Sequence, residues 1–184
     1  MAKGNLFVVS GPSGAGKSTV CKKVRRMLGI NLATSATTRS PRNGEVNGRE
    51  YHFLSMEEFK SKIENKEFLE HANVHGNYYG TLKSEVESRL EKGENIILEI
   101  DVQGGVQVRD VYPEVNLVFF KTPTKAELEK RLRGRGTESE ETVQLRLTNS
   151  LKEYDFEDQY DKVVINRTVE QACEDLIKII ESHN

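Results

Sequence analysis

No stretch of this sequence is apolar for the ~18 residues that a membrane span requires, and the opening MAKGNLFVVSG holds too short an apolar run for a secretion signal. Charge of one sign is not in excess either. Lys and Arg number 27 against 29 Asp and Glu, a formal net charge of −2, without the basic surplus of a dedicated nucleic-acid binder. Cysteine is scarce: Cys21 and Cys173 stand far apart in no CxxC pair. That excludes a disulfide framework and points to buried thiols in a reducing compartment. His71 and His75 are four apart, but in an extended stretch rather than on one helical face, so they make no zinc pair. No Ser-His-Asp trio can be picked out by motif. Internal repeats and low-complexity linkers are missing as well. These absences lead to the expectation of a cytoplasmic globular protein, with 184 residues enough for one compact unit and a small inserted lobe.

What is present is an alternation. NLFVVS, NIILEI, VNLVFFK and DKVVIN read as short buried strands. Between them lie helical patterns: residues 17–28 with Val20, Val24, Met27 and Leu28 on one face, LKSEVESRLEKG stopping at Gly93, and the glycine-interrupted VQGGVQVRDVYP. TKAELEKRLRGR opens on a Thr124…Glu127 capping box. A charged loop then leads into a long helix ending near Tyr154, and TVEQACEDLIKIIESHN closes the chain as a helix. The rhythm predicts an α/β fold, a parallel sheet flanked by helices on both faces. Residues 33–83 break it. LATSATT and EYHFL read as strands, SMEEFKSKIENK as a helix with a Ser55…Glu58 capping box, and EFLEHANVHGNYYGT as two extended pieces around His75-Gly76-Asn77. This is the expected inserted lobe.

GPSGAGKST, residues 11–19, matches the phosphate-loop pattern G-x-x-x-x-G-K-[ST], with a strand before it and a helix after. Glycine lets the backbone N–H groups converge on phosphate oxygens, and the helix N-terminus adds its positive end. Gly11, Pro12, Ser13, Gly14, Ala15, Gly16, Lys17, Ser18 and Thr19 are the expected ATP contacts, with Lys17 reaching the β and γ phosphates and Ser18 ligating Mg²⁺. LEID ends an apolar strand in Glu99 and Asp101, two apart and so on one strand face; either can hold the metal, directly or through water. The loop leaves hydrolysis, a nucleotide switch and a small-molecule kinase all open. In the lobe, Arg39 and Arg42 with Tyr51, Tyr78, Tyr79 and Thr81 offer forked guanidiniums and phenols suited to a dianionic phosphate, although a solvated charged loop has the same composition.

SGPSGAGKST, SATTRSPRNGEVNGREYHF, EFLEHANVHGNYYGT, LEIDVQG and KRLRGRGTESEE occur in order along nearly the whole chain. Together they resemble the guanylate kinase family. The resemblance implies a P-loop kinase core over about residues 1–32, 84–133 and 147–184, a GMP-binding lobe over about 33–83 and a mobile lid over about 134–146. It implies transfer of the γ-phosphoryl group of ATP to GMP, and to dGMP, with Mg²⁺ as cofactor, in purine nucleotide metabolism. By the same resemblance Arg39, Arg42, Tyr51 and Tyr79 hold the GMP phosphate, and Ser35, Glu70, Thr81, Glu99 and Asp101 line the guanine pocket. Lys17, Arg39, Arg131, Arg135 and Arg146 carry the catalysis, Ser18 and Asp101 (through water) hold the metal, and Asn166 contacts adenine. Many members follow that asparagine with an acid, where this chain has Arg167. The guanine assignment has its own chemical sense, because a carboxylate accepts from N1–H and N2–H₂ and a hydroxyl such as that of Ser35 donates to O6. Two rivals remain at this point: a P-loop kinase for another acceptor such as AMP, and a non-catalytic scaffold of the same fold. No membrane or nucleic-acid partner is expected, and oligomeric state is left undecided.

Overall fold

The computed structural model describes residues 2–134 and 139–183. In chain order its elements are β1 (Leu6–Ser10), α1 (Lys17–Leu28), β2 (Ala36–Thr37), β3 (His52–Phe53), α2 (Met56–Glu64), β4 (Phe68–Val74), β5 (Asn77–Leu82) and α3 (Lys83–Leu90). Then follow β6 (Ile96–Glu99), α4 (Val102–Val111), β7 (Asn116–Lys121), α5 (Lys125–Arg133), α6 (Glu140–Glu153), a 3-10 turn over Tyr154–Gln159, β8 (Lys162–Ile165) and α7 (Val169–Glu181).

The predicted parallel sheet is there, in the order β6-β1-β7-β8, with every pairing parallel. β1 is buried along its whole length. Successive side chains on a strand face opposite ways. Phe7 and Val9 accordingly join Val20, Val24, Val118, Phe120 and Leu176 beneath α1 and α7. Leu6 and Val8 join Val86, Leu90, Leu117, Phe119 and Val108 on the other face, under α3 and α4. This double burial is why the strands read as unbroken apolar runs rather than as alternating ones. Cys21 in α1 and Cys173 in α7 are both buried free thiols. Burial pushes the Cys21 thiol up to about 12.

A second sheet, ordered β3-β2-β5-β4, forms the part of the molecule over residues 33–83. Only β2 and β3 run parallel in it; β2–β5 and β4–β5 are antiparallel. Its own small core is Ala36, Phe59, Phe68 and Leu82, with Phe59 and Phe68 stacked at 4.4 Å between ring centroids. The strand predicted over LATSATT contracts to Ala36–Thr37. The residues before it cross from one sheet to the other, and the Thr34 N–H donates to Glu85 Oε1 (3.2 Å) instead of to a strand.

The capping signals divide. At Ser55 the box is complete: its hydroxyl accepts from the Glu58 N–H and the Glu58 carboxylate accepts from the Ser55 N–H. At Thr124 only half forms. The hydroxyl accepts from the Glu127 N–H (3.1 Å), but the Glu127 carboxylate takes the Arg131 Nε–H (3.0 Å) rather than reaching back. Among the described residues no helix is long and apolar enough to cross a membrane.

Candidate active site

The chain turns from β1 into α1 through residues 11–16. Gly16 takes the left-handed conformation (φ 82°), and a Cβ there would lie 2.4 Å from Asn166 Nδ2. Only glycine satisfies both conditions, the dihedral and the close approach. No acidic residue stands in the first turn of α1, so no acid of that helix offsets the positive end that faces the hollow. That hollow, about 230 Å³, is lined by Ser13, Gly14, Gly16, Lys17, Ser18, Thr19 and Arg131. Lys17 Nζ donates to the carbonyls of Gly11 (2.5 Å) and Pro12 (3.0 Å). Burial lowers its pKa, against the opposing pull of Glu153 and Glu99. Arg131 Nη2 donates to Asn166 O (2.9 Å), and Arg146 Nη2 donates to Ser13 Oγ (3.2 Å), so both arginines border the phosphate loop. Arg135 lies outside the described residues.

Two acids at the end of β6 have different employments. Ser18 Oγ donates to Glu99 Oε1 at 2.5 Å. Asp101 is the N-cap of α4: its Oδ1 accepts from the Gly104 N–H (3.1 Å) and its Oδ2 from the Gln103 N–H (3.3 Å). A hydroxyl and a carboxylate side by side are hard oxygen donors that fit a magnesium ion sharing its remaining positions with water and phosphate.

A larger cleft, about 550 Å³, opens between the two sheets. Ser35, Tyr51, Glu70 and Tyr79 line it from the lobe, and Glu99, Asp101 and Gln103 from the core. Glu70 is only 8% exposed, and Thr81 Oγ1 donates to its Oε1 at 2.8 Å. Burial raises the pKa of Glu70, and the charge of Asp101 adds to the effect, while the Thr81 hydrogen bonds work against it. Along the same cleft the Arg39 guanidinium lies over the Tyr51 ring, 5.4 Å from its centroid, and Tyr51 and Tyr79 meet edge to face at 6.1 Å. Arg42 sits in the adjoining exposed turn, and its backbone N–H donates to Glu45 Oε2 (2.7 Å).

Asn166 is 2% exposed, with Nδ2 donating to Ala15 O (2.8 Å) and Oδ1 buried without a partner. It braces the phosphate loop through Ala15.

Two acids at the site have neighbours that no motif announces. Glu45 pairs with Arg39 through both its oxygens at 3.0 Å. The Arg39 hydrogen bonds and the Arg42 N–H hold its carboxyl below the usual range. Glu153, at the end of α6, is half-buried and pushed up to about 7, first by burial and then by Asp101, with Lys17 opposing. The first contact is made within one turn and the second across the fold, and one acid among 29 on a polar chain gives no sign of either.

A sequence model of the guanylate kinase family matches residues 3–183. Guanylate kinase of Fusobacterium nucleatum subsp. nucleatum is 68% identical over 182 residues, which span 99% of this chain and 98% of that protein. Guanylate kinase of Clostridium acetobutylicum is 48% identical over 178 residues, 97% of this chain and 85% of that one. Among solved structures, the crystal structure of guanylate kinase from Anaplasma phagocytophilum superposes with a TM-score of 0.74 at 30% identity, covering 100% of this chain and 87% of the other. The family model covers nearly the whole chain and these relatives are matched over most of their own length, so this chain belongs to the guanylate kinase family.

Proposed function

We infer that this chain transfers the γ-phosphoryl group of ATP to GMP, giving ADP and GDP. One observation carries the reading. The cleft that holds Glu70 and the hollow that holds the phosphate loop are joined through Glu99, which lines the first and accepts from Ser18 of the second. A donor phosphate in one and an acceptor phosphate in the other therefore meet at the end of β6.

The resident chemistry suits direct transfer. The second pKa of a phosphate monoester is about 6, so the acceptor oxygen is largely ionised at neutral pH and needs no general base. It attacks the γ-phosphorus, the bond to the β,γ-bridging oxygen breaks, and ADP leaves with that electron pair. The barrier is then alignment and repulsion between anions. Lys17 and the backbone N–H groups of residues 11–16 take the donor phosphates. Arg131, Arg146 and Arg135 neutralise the transferring group. Arg39, Arg42, Tyr51 and Tyr79 hold the acceptor phosphate. Kinases of this family need a divalent metal, and Mg²⁺ is the ion proposed here: Ser18 would be its protein ligand and Glu99 would order its water shell. When bound it would supply charge neutralisation to the donor phosphates. Glu99 replaces Asp101 in that role because the Asp101 carboxylate already caps α4.

Glu70 sets the acceptor. Its carboxylate accepts from N1–H and N2–H₂ of guanine, with Ser35 and Thr81 beside it. Adenine offers no hydrogen at N1 and no 2-amino group. It would leave a buried carboxylate facing a lone pair, which a site of this kind rejects strongly. Residues 33–83 act as the GMP lobe and about 134–146 as the lid. The two close over the substrates and keep water from the γ-phosphate. The deciding experiment is ADP release with GMP, AMP, CMP and UMP as acceptors. GMP is expected to dominate, and a preference for AMP overturns the reading.

A further inference from the structure

The contact between Arg39 and Glu45 has a stereochemistry that matters for the acceptor phosphate. A guanidinium presents its N–H donors as two forks in one plane, a terminal fork of Nη1 and Nη2 and a lateral fork of Nη2 and Nε. Here Nη1 donates to Ser40 O (2.8 Å) and to Glu45 Oε2 (3.0 Å), and Nη2 donates to Glu45 Oε1 (3.0 Å). The terminal fork is closed by the carboxylate. What remains is Nε–H and the second hydrogen of Nη2, which together are the lateral fork.

Glu45 is itself fixed. Its Oε2 accepts from the Arg42 N–H (2.7 Å) and its own N–H donates to Arg42 O (3.0 Å). One carboxylate thus holds the side chain of one arginine of the pair and the backbone of the other. Behind the guanidinium stand the rings of Tyr51 and Phe53, at 5.4 and 5.8 Å from Arg39 Cζ to the centroids. The Arg39 and Glu45 side chains are only 16% and 19% exposed, so the pair is a built part of the lobe rather than a surface encounter.

We propose that Glu45 is a positioning residue for GMP: by closing the terminal fork of Arg39 it aims the lateral fork at two oxygens of the acceptor phosphate. The proposal rests on the GMP reading above. A carboxylate beside a phosphate site has two opposed effects. It subtracts from the positive potential, and it removes the rotamer freedom that a long arginine otherwise loses on binding. The second wins here, because Glu45 leaves the lateral fork clear, with the Tyr79 hydroxyl beside the guanidinium, and the carboxylate does not have to leave before phosphate can bind.

The test is a double-mutant cycle on steady-state kinetics. Glu45→Gln is expected to raise KM for GMP about tenfold, leaving KM for ATP within twofold of the unmutated value. In an Arg39→Lys background, where there is no fork to aim, the same substitution should change KM for GMP by less than about twofold. A fall in KM for GMP on Glu45→Gln would make the carboxylate a competitor and overturn the proposal. So would an unchanged KM, or an equal rise in both backgrounds, which marks general damage to the lobe. If the variants do not fold, the unmutated protein still decides. GMP added without ATP should move the Arg39 Nε–H resonance downfield, and a resonance that stays in place overturns the proposal. GMP turnover of the unmutated chain, measured alongside, tests the parent reading separately: its absence refutes the reading itself, whereas the outcomes above refute only the role of Glu45.

Discussion

Glu70 is a carboxylate where water barely reaches, held by a threonine hydroxyl and facing a cleft wide enough for a purine. Glu70→Gln keeps the size and the Thr81 contact but turns one acceptor into a donor. It should lower kcat/KM for GMP about 10- to 100-fold, the effect of mispairing a buried polar group. The preference over AMP should narrow, and KM for ATP should be unchanged. Because burial raises the Glu70 pKa, the carboxylate takes up its proton at a higher pH than an ordinary one. KM for GMP should therefore rise on acidification at a pH above the usual carboxylate range, and Glu70→Gln should lose that rise. At the metal the two acids separate. Glu99→Gln should raise the Mg²⁺ concentration for half-maximal rate several-fold. Asp101→Ala should cost about 1 kcal/mol of stability through the lost cap, and Asp101→Asn, which caps as well, should restore it in a thermal melt. The phosphate loop was legible from sequence because its residues are contiguous and its glycines answer a local backbone demand. Glu70 was legible only through the family resemblance, since an acid on a short strand otherwise reads as exposed. Glu153 was not legible as a neighbour of Lys17, because the fold brings it there, and Glu45 was not legible as the partner of Arg39, because an acid in a charged turn gives no sign of which arginine it takes.

At the scale of elements, α4 depends on two adjacent glycines. A Cβ on Gly105 would stand 2.1 Å from Tyr160 Oη, which donates to Val102 O at 3.1 Å and so ties the end of the 3-10 turn to the start of α4. Gly105→Ala should destabilise the protein by about 1–3 kcal/mol through overpacking. Tyr160→Phe removes the obstructing atom, so the double variant should melt higher than the sum of the single losses, which calorimetry can check. The sequence marked this helix as interrupted by glycine but not why, since the tyrosine arrives from more than fifty positions away. The core strands and α1 and α7 were plain from their periodicity. The strand before the lobe is shorter than LATSATT suggests, because that stretch has strand chemistry throughout, while only Ala36 and Thr37 are paired in register with neighbouring strands.

For the whole molecule, two sheets meet across the cleft, and Glu85 of α3 holds their junction: it accepts from the Thr34 N–H, pairs with Arg89 (3.0 Å) and lies 3.6 Å from His52 Nε2 in the lobe. Small-angle scattering should show compaction when a bisubstrate analogue is added, and none with ATP alone; an unchanged radius of gyration would count against closure. Global stability carries the sign of Glu153. Its raised pKa means that the folded chain keeps a proton the unfolded chain has lost, so stability falls as pH rises from the ordinary carboxylate range through about 7. Glu153→Gln should melt higher than the unmutated protein at pH 8, by about 1–2 kcal/mol after allowance for its half exposure, and equally at pH 4. Cys21 and Cys173, buried beneath the sheet with the former's thiol hardly ionised at neutral pH, have a practical corollary. Maleimide dyes should pass them by, so cysteines introduced at the exposed Val74 and Leu145 can carry a fluorescence-transfer pair that reports each opening and shutting of the cleft during turnover, on an otherwise unaltered chain.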